Sequence, residues 1–188
     1  MNLKKIVWAS GLLVSVLTAG NYDVDASHSN VAFKVKHLML SSAKGIFDNF
    51  KGNFEYDEEK GVLKSLSGNI LASSINTNHE DRDKHLKAED MLDTKKFPKI
   101  FFKLTKVEDN TVYGDITIKG ISKNIKLDYE NNGHVKDPWG NYRSAFELTG
   151  KINRKDFGLT YNKVLETGGL IVGDIVKLSI EIEGIKKI

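Results

Sequence analysis

Apolar and polar residues alternate with period two along most of the chain from residue 31 onward. In Val31-Ala32-Phe33-Lys34-Val35-Lys36-His37 the odd positions carry Val, Phe, Val and His, and the even ones Ala, Lys and Lys. Such alternation gives an extended strand one dry face and one wet face. Phe50 to Tyr56 repeats it, with Phe50, Gly52, Phe54 and Tyr56 set against Lys51, Asn53 and Glu55. Leu66 to Ala72, which includes Ile70, is a less regular run. Lys99 to Val107 groups Ile100, Phe102 and Leu104, and Thr111 to Lys119 groups Val112, Gly114, Ile116 and Ile118. Asn124 to Glu130 follows Gly120. Tyr142 to Ile152 groups Ser144, Phe146, Leu148 and Ile152, and the last run groups Val176, Leu178, Ile180 and Ile182. About eight short strands separated by turn signals predict an all-β, mainly antiparallel sandwich or barrel.

One stretch breaks the alternation. His79 to Asp93 is charged and lacks Gly and Pro. Asn78 is a candidate N-cap with acids in the turn that follows, which predicts one or two helical turns near residues 79–92. Pro98 opens the next strand, a position where its missing N–H is tolerated. The one-sided strand faces carry Phe33, Phe50, Phe54, Phe102 and Phe146. An eight-stranded barrel either fills its interior with such side chains or holds a small ligand, and alternation alone does not decide between the two.

Composition narrows the picture. The chain has 188 residues, 40% hydrophobic and 28% charged, the size and make-up of one globular domain. It has no cysteine, which excludes disulfides, thiolate metal sites, a cysteine nucleophile and a lipid anchor on Cys. Residues 1–20 begin with Lys4 and Lys5, continue with an apolar run from Ile6 to Leu17, and end in Thr18-Ala19-Gly20. That is the three-part pattern of a secretory signal peptide, with cleavage expected after Gly20 and Ala19 as the alternative. The run is shorter than the roughly 20 apolar residues of a spanning helix. The expected organisation is a signal peptide over residues 1–20 and one domain over residues 21–188. Removing the leader takes two lysines and no acids, so the formal charge falls from +3 to +1. No basic run interleaved with aromatics appears, so nucleic acid is not an expected partner.

Chemical motifs are sparse. The chain has no G-x-S-x-G, H-E-x-x-H, Walker loop or G-x-G-x-x-G. His79 and His85, six apart among acids, do not share a helical face, so no metal site is expected. Asp25-Ala26-Ser27-His28-Ser29 contains triad residue types, but a triad also needs a positioned base and an oxyanion hole. It reads better as a capped turn entering the first strand. Arg143 falls on an outward face and is expected to be structural. Arg154 lies in Asn153-Arg154-Lys155-Asp156-Phe157-Gly158, where Asp156 is expected to brace a turn and Arg154 to form an ion pair. Gly168-Gly169 and Gly173-Asp174 read as loop signals rather than phosphate cradles. His37 sits at the end of an apolar face, either hydrogen-bonded there or meeting a ligand head group. No catalytic set and no cofactor site emerges.

These segments also occur in a recognisable order. Tyr22-Asp23-Val24-Asp25 with His28-Ser29 is followed by Phe33 to Leu38 and by Phe47-Asp48-Asn49-Phe50-Lys51-Gly52. Asn76-Thr77-Asn78 and Arg82-Asp83-Lys84-His85-Leu86 come next, then Phe97-Pro98-Lys99-Ile100-Phe101-Phe102. Gly114 to Gly120, Arg154 to Gly158 and Val172-Gly173-Asp174 complete the series. The ordered set resembles the YceI-like family of exported bacterial proteins along nearly the whole chain after the leader. The resemblance implies an extended, lipocalin-like eight-stranded barrel. It also implies a long apolar channel for polyisoprenoids or other long-chain amphiphiles, such as isoprenoid quinones or fatty-acid amides. It implies a periplasmic setting and a homodimer, brings no catalytic residues, and makes transient contact with a membrane an expectation.

On that reading a lipid tail lies along the inward residues Val31, Phe33, Val35, Phe50, Phe54, Ile70, Phe102, Ile116, Ile118, Phe146, Leu148, Leu178 and Ile180, with His37 the first candidate for the head group. Burial at roughly 0.8 kcal/mol per methylene sums to roughly 30 kcal/mol for about forty carbons. This exceeds the ceiling of about 18–21 kcal/mol for non-covalent complexes, so ordering and entry costs must cancel much of it. An extra methylene discriminates by only about 1–3 kcal/mol, which favours a tolerant carrier. The alternatives are an enzyme or redox helper acting on a bound isoprenoid, and a filled barrel acting through its surface in adhesion or stress tolerance.

Overall fold

The computed structural model describes residues 19–162 and 171–187. Residues 1–18 of the expected leader and Gly168-Gly169 lie outside the described residues. Among the described residues, eleven strands form one antiparallel sheet. They are β1 (Gly20–Val24), β2 (Asn30–His37), β3 (Ser41–Phe47), β4 (Phe50–Asp57), β5 (Val62–Leu71), β6 (Ile75–Asn76), β7 (Lys99–Glu108), β8 (Thr111–Ile118), β9 (Ile121–Lys136), β10 (Tyr142–Asn153) and β11 (Val172–Lys186). Three chain bends divide what would otherwise be longer strands. β1 continues into β2, β3 into β4, and β5 through the 3-10 turn Ala72–Ser74 into β6. Counted that way, eight staves close into a barrel. Closure comes from β11, one edge of which pairs with β2 at Val172–Glu181 and with β1 at Gly184–Lys186.

The predicted strands are all present, and three additions, β1, β3 and the two-residue β6, refine them. β1 and β3 carry no clean alternation. β3 reads Ser-Ser-Ala-Lys-Gly-Ile-Phe because it lies under a large ring: a Cβ on Gly45 would come within 2.4 Å of the Phe33 ring. The predicted helix is α1 (Glu80–Leu86), and its cap is His79 rather than Asn78. The His79 Nδ1 accepts from the Arg82 N–H at 3.3 Å. Asn78 has φ +56° and serves instead to turn the chain into the helix. Arg82 donates to the Thr77 hydroxyl and carbonyl, both at 2.8 Å, and the Thr77 hydroxyl donates to Asp83, so the charges of α1 strap it to the end of β6.

The two barrel ends differ. At the lower end, Arg143 donates from Nε to Asp137 at 2.8 Å and from Nη1 to Asp25 at 2.9 Å and Glu183 at 2.5 Å. It thereby ties the β1–β2 bend to the β9–β10 hairpin. Hydrogen bonds from Ser27 and His28, then Arg143, hold the Asp25 carboxyl well below the usual carboxylate range. Arg143, then Asn141, does the same for Asp137. Folded-state values below the ordinary 3.8 mean that this stabilisation is present above about pH 4 and drains away as pH falls further. Arg143→Gln is therefore expected to lower the melting temperature at pH 7, with the difference beginning to shrink at pH 3 and closing only as pH falls through the lowered folded-state values. Thermal melts at pH 7, at pH 3 and below check it, and a difference that did not shrink as pH fell would contradict the linkage.

At the upper end, His37-Leu38-Met39-Leu40 makes the β2–β3 hairpin turn, with the Leu40 N–H donating to the His37 carbonyl at 3.1 Å. Leu38 and Met39 have φ of +52° and +58°. Such a turn favours Asn-Gly, because left-handed conformations cost other residues about 1–2 kcal/mol each. Leu38→Asn with Met39→Gly is expected to stabilise the fold by about 1–2 kcal/mol. The readout is a higher urea midpoint at unchanged m-value, and a lower midpoint would show that the apolar side chains hold the turn.

Candidate ligand-binding cavity

The interior is layered from bottom to top. The floor is aromatic. Tyr22 stacks on Phe54 at 4.9 Å between centroids, Phe54 meets Phe146 edge-on at 5.1 Å, and Phe146 meets Tyr129 at 5.9 Å. Phe54 and Phe146 are each 1% exposed. The Tyr129 hydroxyl is buried without a hydrogen-bond partner among the described residues, and burial pushes its pKa up to about 12, so it stays a neutral phenol.

Above the floor lie two adjoining apolar spaces. The middle one measures about 80 Å³ and is walled by residues that include Phe50, Phe102, Leu127 and Leu148. The upper one measures about 160 Å³ and is walled from β2 by Phe33 and Val35, from β8 by Ile116 and Ile118, and from β11 by Val176 and Leu178. Val31, Ile70 and Ile180 belong to both walls. Leu86 from α1, with Met91 and Leu92 after it, covers one side of the upper space. The helical segment is thus a wall of the cavity, which is why its short helix carries Leu86 at its end.

The residues expected to face a tail therefore divide by height. Val31, Phe33, Val35, Ile70, Ile116, Ile118, Leu178 and Ile180 line the upper space, and Phe50, Phe102 and Leu148 the middle one. Phe54 and Phe146 point inward as their strand parity requires, but they fill the floor and line neither space. His37 is exposed at the upper rim and also lines neither, because β2 has by then run past the walls. Where the resemblance implies one long channel, the described residues enclose two adjoining spaces of about 160 and 80 Å³.

The polar side chain in the upper wall is Arg154, 4% exposed. Its Nε donates to the Gly173 carbonyl at 3.0 Å, its Nη1 to the Leu159 and Tyr161 carbonyls at 2.5 and 2.8 Å, and its Nη2 to Asp174 at 3.2 Å. The expected ion pair is present, but Arg154 was not among the residues expected at the cavity. Its parity held the signal: Ser144, Phe146, Leu148 and Ile152 point inward, and Arg154 continues the series. The turn that carries it is braced by Asn153, which accepts from the Lys155 N–H at 3.0 Å, rather than by Asp156. Gly173-Asp174 sits at an irregularity of β11, where the register against β2 shifts between Val172 and Val176.

Asp25, Ser27 and His28 do converge, but not as a catalytic relay. Asp25 Oδ2 lies 2.9 Å, and Ser27 Oγ 3.0 Å, from the same His28 Nδ1. A triad needs the acid on one ring nitrogen and the nucleophile on the other. Asp25, His28 and Glu183 also have metal-ligand spacing, but the Arg143 guanidinium already supplies the cation between Asp25 and Glu183.

Known proteins share this architecture and sequence. The curated "UPF0312 protein" of Staphylococcus aureus strain N315 is 42% identical over 164 residues, covering 87% of this chain and 96% of the relative. The crystal structure of the Campylobacter jejuni YCEI protein superposes with a TM-score of 0.71 at 32% identity, covering 81% of this chain and 90% of that one. A domain from Saccharophagus degradans, described as polyisoprenoid-binding and implicated in plant cell wall breakdown, shares the fold with a TM-score of 0.64. Its identity is 14%, over 88% of this chain and 98% of that one. A YceI-like domain matches residues 22–184, and the chain belongs to the YceI-like family.

Proposed function

We propose that this chain is an exported, non-catalytic carrier that holds a long-chain amphiphile by its tail in the barrel. The ligand class is a polyisoprenoid, an isoprenoid quinone or a fatty-acid amide, and the setting is the periplasm. The observation that carries the reading is the pair of mainly apolar spaces stacked on an aromatic floor, where the guanidinium of Arg154 in the upper wall is committed to the protein and Lys51 at the middle space is solvent-exposed. Walls made mainly of Val, Leu, Ile and Phe attract hydrocarbon. The Saccharophagus degradans domain, described as polyisoprenoid-binding, supports the ligand class.

Size adds a constraint. A cavity of about 150 Å³ lined by Leu, Ile and Phe accepts benzene, so the 160 Å³ upper space takes a ligand of that scale without rearrangement. A tail of tens of carbons requires Val31, Ile70 and Ile180 to move apart and merge the two spaces, and it must extend out of the upper end. The parting of these walls offsets part of the roughly 0.8 kcal/mol gained per methylene. Displacement titrations with a series of n-alkyl amides test the reading. Saturable binding that tightens with chain length is expected. No saturable binding at any length, or affinity independent of length, would overturn it.

A further inference from the structure

The outer face of the same strands carries a charge arrangement that folding does not require. Lys151 of β10 lies directly opposite Lys177 of β11, Lys177 opposite Lys34 of β2, and Lys34 opposite Lys44 of β3. Four exposed lysines thus form one row across four neighbouring strands, spanning about 14 Å at the usual strand spacing. Among the described residues no carboxylate forms an ion pair with any of them. Four residues lower on the same ribbon, Glu147 lies opposite both Glu130 and Glu181. Like charges directly opposite one another destabilise a sheet. Exchanging a lysine and a glutamate between the rows would relieve both, yet the chain segregates them along the barrel axis. The lysine row lies at the height of the upper cavity, since Lys34 and Lys177 alternate with the wall residues Phe33, Val35, Val176 and Leu178. Beyond it, at the tip of the β2–β3 hairpin, Met39 is 65% and Leu40 85% exposed.

We propose that this upper end, the lysine row together with the Met39-Leu40 tip, is a docking surface for an anionic lipid bilayer. The lysines complement acidic head groups, and the apolar tip enters the interface beyond them. A soluble polyanion would use the row but not the tip. The glutamate row points the opposite end away and orients the barrel with its cavity end toward the membrane. The surface rests on the lipid-carrier reading for its purpose, but its test does not depend on that reading.

The test uses protein isolated from its host, its N terminus fixed by intact mass, and phosphatidylcholine vesicles with and without phosphatidylglycerol. Binding is expected only with the anionic lipid and should weaken with salt. Each lysine contributes about fivefold, so the variant with Lys34, Lys44, Lys151 and Lys177 changed to Gln should lose at least roughly 100-fold in partitioning. Its melting temperature should not fall, since repulsion is removed. Met39→Gly with Leu40→Ser should weaken binding further. Trp139 stands 82% exposed on the β9–β10 hairpin at the opposite end, so its emission should not shift on binding. The proposal is overturned by no binding to anionic vesicles, by equal binding of the glutamine variant, or by a blue shift of Trp139. Binding to heparin without binding to vesicles would also overturn it and reassign the row to a soluble polyanion. Vesicle binding that persists when alkyl amides fail to bind would remove the cargo reading and leave the docking surface standing.

Discussion

Arg154→Met is expected to lower the unfolding free energy by about 3–5 kcal/mol, the cost typical of breaking a buried charged network. In a domain of this size that corresponds to a fall of roughly 6–20 °C in melting temperature. The guanidinium spans from β10 to the chain beyond its own turn. It binds the carbonyls of Leu159 and Tyr161 on one side and Gly173 with Asp174 on the other. Methionine matches the apolar wall but leaves these acceptors without their donor, and buried groups that lose partners pay their full desolvation cost. Arg154→Lys keeps the charge but lacks the planar fork, so an intermediate loss is expected. Urea denaturation of both variants checks this. A loss below about 1 kcal/mol for the methionine variant would mean that other bonds hold the segment.

Val31→Phe is expected to reduce affinity for long alkyl ligands at least tenfold while costing stability no more than about 1–3 kcal/mol. Val31 stands in the wall between the middle and upper spaces. A phenyl ring there grows into volume that a ligand would otherwise use, and the spaces themselves moderate the overpacking. Phe146→Ala in the floor should show the reverse pattern, a loss of about 3–5 kcal/mol with a smaller effect on binding. Paired measurements of unfolding and ligand titration separate wall from floor. If Val31→Phe destabilised strongly and left affinity unchanged, the residue would be packing rather than channel.

The sequence revealed most of the barrel because its signal is local. Period-two alternation in β2, β4, β8, β10 and β11 needs only one wet face and one dry face. β3 escaped because its residues are fitted to a neighbour: Gly45 is small on account of the Phe33 ring, a contact between strands. Parity also named the inward side chains correctly, Phe54 and Phe146 included. Height along the barrel was not legible, because it depends on which aromatic rings meet across the interior. Phe54, Phe146 and Tyr129 pack into a floor, while Phe33 and Phe102 flank open space. His37 kept the parity of a wall residue but stands beyond the wall's upper edge. Arg154 carried the opposite lesson. Its charge suggested only an ion pair, although its parity placed it inside.

The lysine row shows the same division. Each lysine occupies an ordinary outward position, and no local pattern distinguishes Lys34 from Lys51. Only the register of four strands brings Lys151, Lys177, Lys34 and Lys44 into one line. A formal charge of +3 for the whole chain conceals it, because the glutamates that balance it lie lower on the same ribbon.

The measurement that tests the central claim most directly is native mass spectrometry of protein purified from its own host without detergent, followed by extraction and fragmentation of what is bound. The account predicts a discrete long-chain molecule at near-stoichiometric occupancy, reduced in Val31→Phe protein. Ligand-free protein that also fails to take up added prenyl or acyl lipids would contradict it.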